Sequence, residues 1–175
     1  ICDIGASTGG FTEVALSHQA HHVYAIEKGV AQMHQSLINH PKMTLLEATD
    51  FLMITDFSDF LPIDYYVIDV SFISSLTIIE HIKNSFYAPM IVLIKPQFEQ
   101  ASKKGLIVHL KDHQTILKHY QQRLNQMGLY LKALTFSPIK GGKGNIEFLA
   151  HITKEKSFID VNHISIIAHE ALKEA

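Results

Sequence analysis

The residues best suited to chemistry stand near the start of the chain. Asp3-Ile4-Gly5-Ala6-Ser7-Thr8-Gly9-Gly10-Phe11-Thr12 follows a short apolar run and precedes an amphipathic one, where a strand should turn into a helix. Glycines at such a turn let the backbone bend tightly and approach a ligand, whose polar groups meet free N–H groups at the helix start. A phosphate-cradling loop, G-x-x-x-x-G-K-[ST], is met by Gly5, Gly10 and Thr12, but Phe11 stands where the lysine must be. The dinucleotide pattern G-x-G-x-x-G fails at its middle glycine, which is Ser7 here. A ligand without phosphates is therefore favoured. Asp3 would repel phosphates but can hydrogen-bond an ammonium or fix the loop. Glu27, with Lys28 beside it, ends the next apolar run, where a carboxylate can take both ribose hydroxyls of an adenosine. Asp50 follows the third run and is placed to meet an adenine edge. An adenosine with a cationic amino-acid tail, S-adenosyl-L-methionine, suits these groups in this order. The expected cofactor contacts are Asp3, Gly5, Ala6, Ser7, Thr8, Gly9, Gly10, Phe11, Glu27, Lys28 and Asp50.

The elements that must position these groups alternate in type. Apolar runs at Ile1 to Gly5, His22 to Ile26, Met43 to Glu47, Tyr65 to Asp69, Met90 to Ile94, Tyr130 to Phe136 and Ile146 to Ile152 read as strands. Helices are expected over Gly10 to Gln19, Val30 to Asn39, Leu76 to Phe86, Asp112 to Met127 with Asp112 as its cap, and Asn162 to Lys173. Such alternation predicts an α/β fold, a mostly parallel sheet with helices on both faces. Only the Ser137 to Gly144 loop separates the last two strands, too little for a crossover helix, so they should pair as an antiparallel hairpin.

With 175 residues, 47% hydrophobic and 18% charged, the chain fits one globular domain and excludes a disordered or low-complexity protein. Its longest apolar stretch, Ala88 to Ile94, is far below the ~18 residues of a membrane-spanning helix. The one cysteine, Cys2, can form neither an internal disulfide nor a cysteine zinc cluster, which fits a reducing cytoplasm. The chain opens inside a strand without an initiator Met, so further residues are expected upstream. Charge is uneven: residues 1–80 carry −8 and residues 81–175 carry +6, within a net −2. Nine basic residues against two acidic ones lie between Lys95 and Lys143, a candidate polyanion-binding segment. Of the 12 histidines, His18 with His22 and His109 with His113 have helical spacing, yet no third ligand stands nearby, and no metal is expected.

Four blocks together carry a family resemblance: the glycine loop, Asp69-Val70-Ser71-Phe72-Ile73-Ser74, Ile94-Lys95-Pro96-Gln97-Phe98-Glu99 and Gly144-Asn145-Ile146-Glu147-Phe148. In this order they closely resemble the TlyA-type proteins, which bear the name hemolysin A and belong to the FtsJ-like ribosomal RNA 2′-O-methyltransferases. The resemblance spans Ile1 to about Ile152. It implies a Rossmann-like methyltransferase sheet, S-adenosyl-L-methionine as cofactor, and methyl transfer to a ribose 2′-hydroxyl, usually of cytidine, with ribosomal RNA or a ribosomal subunit as partner. It also implies a Lys-Asp-Lys-Glu catalytic set, in which Asp69, Lys95 and Glu147 match three members, Asp69 also facing the cofactor. The fourth, a lysine ahead of the glycine loop, falls before Ile1, as does a small RNA-binding domain; residues 1–175 correspond to the methyltransferase domain.

The chemistry makes sense of these residue types. A ribose hydroxyl is a poor nucleophile and needs a base as it attacks a sulfonium methyl in line. Lys95 is the candidate base. A free lysine is protonated at neutral pH, and a second ammonium and desolvation would release its proton, so the two carboxylates are expected to act by orientation. Lys103, Lys104, Lys111, Lys140 and Lys143 lie in the following loops or on the adjoining helix start and are the expected contacts to RNA phosphates. The hemolysin name suggests membrane lysis, but neither a spanning segment nor barrel-type strand repeats accompany it. The competing readings are a noncatalytic RNA- or ribosome-associated module with the same fold, a hemolysin of other activity, and a methyltransferase for small molecules.

Overall fold

The computed structural model describes residues 1–60, 62–85, 87–100, 106–107 and 109–171. Seven strands build one sheet: β1 (Cys2–Ile4), β2 (Val23–Ile26), β3 (Met43–Leu46), β4 (Tyr66–Ile68), β5 (Met90–Ile94), β6 (Tyr130–Phe136) and β7 (Phe148–Thr153). Their spatial order is β3-β2-β1-β4-β5-β7-β6. The first five are parallel, and β7 runs antiparallel between β5 and β6, as the short connection predicts. The order reverses direction at β1, so the loops leaving β1 and β4 diverge and open a crevice at the carboxyl edge of the sheet.

Side-chain alternation separates two cores. Cys2, Ile4, Tyr66, Ile68, Met90, Val92, Ile94 and Phe148 meet the apolar faces of α3 (Ser75–Ser85), α4 (Leu110–Gln126) and α5 (Val161–Ala171). Ile79, Ile82, Leu117 and Leu124 are fully buried there. Each contributes about 1.5–3 kcal/mol of hydrophobic stabilisation by its removal from water. On the other face Ala25, between Tyr24 and Ile26, packs with Ala6, Met33 and Leu37 beneath α1 (Gly10–Ser17) and α2 (Gln35–Ile38).

Three expectations need correction. The helix expected over Val30 to Asn39 shrinks to Gln35–Ile38. Ala31 adopts φ +54°, and the stretch before α2 is tied to the glycine loop by a bond from the His34 N–H to the Thr8 carbonyl. Helix α4 starts two residues before the expected cap, with His109 at that position and Asp112 in its first turn. An acidic group there still favours the positive end of the helix dipole. Strand β7 begins after Glu147 because the turn at Gly142–Gly144 holds the preceding residues, although the Glu147 carbonyl accepts the Ser137 N–H at 2.8 Å. Phe86, expected on the apolar face of α3, lies outside the described residues.

Candidate active site

The glycine loop is shaped by contacts on both sides. Gly5 has φ +81°, and a Cβ on it would stand 2.4 Å from the Asp69 carbonyl oxygen, so the chains leaving β1 and β4 can pass this closely only with glycine. Gly9, at φ +94°, caps α1, and a Cβ there would meet Leu37 and Met33 at 2.5 Å. Asp3 is buried under the loop and accepts the Thr12 hydroxyl at 2.6 Å, which ties β1 to α1. Burial pushes its carboxyl up to about 6. Its other oxygen has no partner among the described residues.

A cleft of about 550 Å³ opens beside this loop, within the usual range for ligand sites. Gly5, Ser7, Glu27, Lys28, Asp50 and Asp69 line it, over an apolar floor of Ile26 and Phe51. The Glu27 carboxylate accepts the Ser7 N–H at 2.8 Å and the Gly29 N–H at 2.7 Å through separate oxygens. Lys28 pairs with Asp50 at 2.9 Å, and this bond holds the Asp50 carboxyl below the usual carboxylate range. Asp3, on β1, and Ala6, Thr8, Gly9, Gly10 and Phe11, of the loop and helix start, do not line the cleft. Gln32, which sequence reasoning missed, lines the cleft and accepts the Ser7 hydroxyl at 3.2 Å.

A second cavity of about 450 Å³ adjoins the first and shares Ser71 and Phe72 with it. Lys95, Gln97, Glu147 and Lys143 line it. Asp69 and Lys95 form an ion pair of 2.6 Å where the two cavities meet, and Lys95 Nζ also donates to Ser71 Oγ at 3.1 Å. Glu147 is buried, and its partner is Gln97, whose Nε2 donates to it at 2.9 Å. Burial raises the Glu147 carboxyl above its ordinary value, opposed by that bond and by the charge of Lys95. Gly141 lies against the same carboxylate, where a Cβ would stand 2.0 Å from Oε1. The structure thus brings Asp69, Lys95 and Glu147, the three residues that the family resemblance singles out, to one edge.

Phe72 is the residue that sequence reasoning left without a role. It is 87% exposed, holds φ +72°, and its ring lies 5.4 Å from that of Phe98 at 52°. A bulky residue in the left-handed region is strained, and such strain clusters at ligand sites. Of the expected RNA contacts, Lys143 lines the second cavity, Lys111 is exposed on the first turn of α4 and Lys140 lies in the hairpin loop; Lys103 and Lys104 lie outside the described residues. Among the described residues no His, Cys, Asp and Glu group could hold a metal ion, and no helix is long and apolar enough to cross a membrane.

This sheet order, with its crevice and its antiparallel last strands, is the fold of S-adenosylmethionine-dependent methyltransferases; solved methyltransferases only 10–14% identical superpose with TM-scores of 0.52–0.60. The model of the FtsJ-like methyltransferase family matches residues 1–154. The chain belongs to that family. It is 36% identical to the 23S rRNA (cytidine-2′-O)-methyltransferase TlyA of Campylobacter jejuni over 87% of this chain and 61% of that one. The 16S/23S rRNA (cytidine-2′-O)-methyltransferase TlyA of Mycobacterium tuberculosis is 31% identical over 98% of this chain and 67% of its own. A Streptococcus thermophilus structure bearing a hemolysin name is 34% identical with TM-score 0.90, covering 99% of this chain and 67% of that one. The chain spans 61–67% of the length of the curated relatives it matches.

Proposed function

We propose that this chain is the catalytic domain of an S-adenosyl-L-methionine-dependent methyltransferase that modifies a ribose 2′-hydroxyl, that of a cytidine, in ribosomal RNA in the cytoplasm. The observation that carries the reading is the junction of the two cavities, with the Asp69–Lys95 ion pair across it. One cavity has the groups an adenosine needs; the other has a lysine, a buried carboxylate and an exposed aromatic ring, which suit a ribonucleotide.

The first cavity fits the cofactor on its own chemistry. Each Glu27 oxygen already holds a backbone N–H and keeps a lone pair for a ribose hydroxyl. Asp50, paired with Lys28, lines the cleft for the adenine edge, and Gly5 and Ser7 line it for the amino-acid end. S-adenosylmethionine, when bound, supplies a methyl group on a positively charged sulfur, which leaves as a neutral thioether. Asp69 with Ser71 keeps Lys95 Nζ at the junction as an ammonium. Once it has given up that proton to solvent, under the influence of the second lysine and the exclusion of water by the bound substrates, Nζ receives the proton of the attacking hydroxyl. Glu147, fixed by Gln97, borders the same space and orients the acceptor. Phe72 and Phe98 offer a face on which an unstacked base can lie, the usual way single-stranded RNA is read. Lys143, with Lys103, Lys104, Lys111 and Lys140, meets phosphates. An RNA-binding domain upstream and a further catalytic lysine there complete the reading.

The test is label transfer from S-adenosylmethionine to ribosomal RNA by the full-length protein, followed by mapping of the modified nucleotide. Lys95→Ala should lower the rate about 10²–10⁴-fold, the range for loss of a positioned base, without altering cofactor affinity. Cofactor binding without any transfer would favour the noncatalytic module instead.

A further inference from the structure

The two blocks that carry Asp69 and Lys95 are joined at several points along their length. Asp69 pairs with Lys95 at 2.6 Å, Lys95 bonds Ser71 at 3.1 Å, and Phe72 packs on Phe98 at 5.4 Å. Beyond these, Glu99 closes the series. Its carboxylate accepts the Ser74 hydroxyl through Oε2, and the Ser75 N–H at 2.8 Å and Ser75 hydroxyl at 2.7 Å through Oε1. Ser75 Oγ lies 2.7 Å from the hydroxyl of Tyr120, a fully buried residue of α4. The acidic group is drawn out of water, and burial raises its carboxyl above the ordinary value against the pull of the two serines. Half withdrawing a carboxylate from water is unfavourable unless hydrogen bonds offset it. A solvent-facing residue would stabilise α3 with less sacrifice. What the half-buried position adds is a fixed distance between the Asp69–Ser75 loop and the 3-10 turn Pro96–Phe98 that Lys95 and Glu99 flank.

We infer that Glu99 is a positioning residue for methyl transfer: it clamps the Asp69–Ser75 loop to the Lys95–Glu99 turn, and so sets Lys95 at the cavity junction and Phe72 against Phe98. Glu99 touches neither cavity that the reaction uses, and acts through the residues it ties. The strained φ of Phe72 supports this, because an aromatic residue keeps a left-handed backbone only where its surroundings over-determine it. In the clamped arrangement the loop is anchored on both sides of Phe72, at Ser71 and at Ser74 and Ser75.

The inference rests on the methyltransferase reading, and the experiment separates the two. In the full-length protein, hydrogen exchange would be followed over residues 69–76 and 95–100 in wild type, Glu99→Gln and the milder Ser74→Ala. Glutamine keeps an acceptor for Ser75 but cannot accept from Ser74 in the same way. Exchange should rise together in both segments, by about tenfold in Glu99→Gln and less in Ser74→Ala, with β1, β4 and β5 unchanged. The turnover number for label transfer should fall by about 10–100-fold, as expected for misplacement on the ångström scale, while the S-adenosylmethionine dissociation constant stays within about twofold. Exchange confined to the first turn of α3, or a lower melting temperature with unchanged turnover, would reduce Glu99 to a helix cap and overturn the inference. Coupled exchange in a wild-type protein that transfers no methyl group would overturn the functional reading and leave the clamp standing.

Discussion

Glu27 divides its two carboxylate oxygens between the Ser7 and Gly29 backbone amides, so it shapes the rim of the cleft before any ligand arrives. Glu27→Ala should weaken S-adenosylmethionine binding by about 10–100-fold, the equivalent of losing one charge-assisted hydrogen bond, measured by calorimetry. An unchanged affinity would remove Glu27 from the site. Gly5→Ala meets a harder limit: its Cβ would press on the Asp69 carbonyl at a positive φ. A loss of about 2–4 kcal/mol in a urea titration is expected, as for substitutions that combine strain with overpacking. At this scale the ends of the apolar runs were enough to expect Gly5, Glu27, Asp69 and Lys95 at the carboxyl edge of one sheet, whereas Glu147 was expected beside them only from the family resemblance. What was not legible is partnership. Nothing in the letters assigns Gln97 to Glu147, or tells that Phe72 takes a left-handed backbone, since both depend on loops meeting across long sequence separations.

Element packing carries its own titration. His113 of α4 is fully buried against Phe148 and 2.9 Å from His169 of α5. Burial, and then the neighbouring His169, lowers its pKa to about 4. Between that value and the ordinary ~6.5 the unfolded chain binds the proton and the folded one does not. Stability from this group is therefore complete above about pH 6.5 and lost as pH falls towards 4, by about 1.4 kcal/mol per unit. Asp3, raised to about 6, works in the opposite sense: its contribution is complete at low pH and lost as pH rises through that value. The opposed slopes offset each other in the intact protein between about pH 4 and 6. Urea midpoints across this range should fall more with rising pH in His113→Phe than in wild type, and rise more in Asp3→Asn. Parallel curves for all three proteins would refute both assignments. Strands were easier to foresee than the short α2, because apolar runs such as Met90–Ile94 and Tyr130–Phe136 declare themselves, whereas the residues before α2 spend their backbone on the glycine loop.

The uneven charge of the sequence becomes a spatial division in the whole molecule. Strands β1 to β4 belong to the −8 half of the chain and β5 to β7 to the +6 half, and the sheet order keeps these groups on separate sides. The cleft beside the glycine loop thus lies on the acidic side, and the cavity lined by Lys95 and Lys143 borders the basic one. Salt should raise KM for RNA steeply while leaving cofactor affinity nearly constant. Lys143→Ala should lower the slope of log affinity against log salt by about 0.7, the value for one phosphate contact to a single strand; an unaltered slope would place Lys143 away from the RNA. The positions of the charges along the sequence made this asymmetry visible, but its meaning depended on strand order.

The insertion of β7 between β5 and β6 also governs when the molecule becomes complete. During synthesis the strands that surround the first cleft emerge first and can pair among themselves, because β1 to β4 come from consecutive stretches of chain. Strand β5 then waits as an unpaired edge until residues 148–153 have been made and doubled back beside it. For that interval the nascent protein has the cleft beside the glycine loop and lacks Glu147, and an apolar strand lies open to any other edge it meets. A chain cut short before the β6–β7 hairpin would present an incomplete sheet with an adhesive border, so synthesis of that hairpin protects solubility.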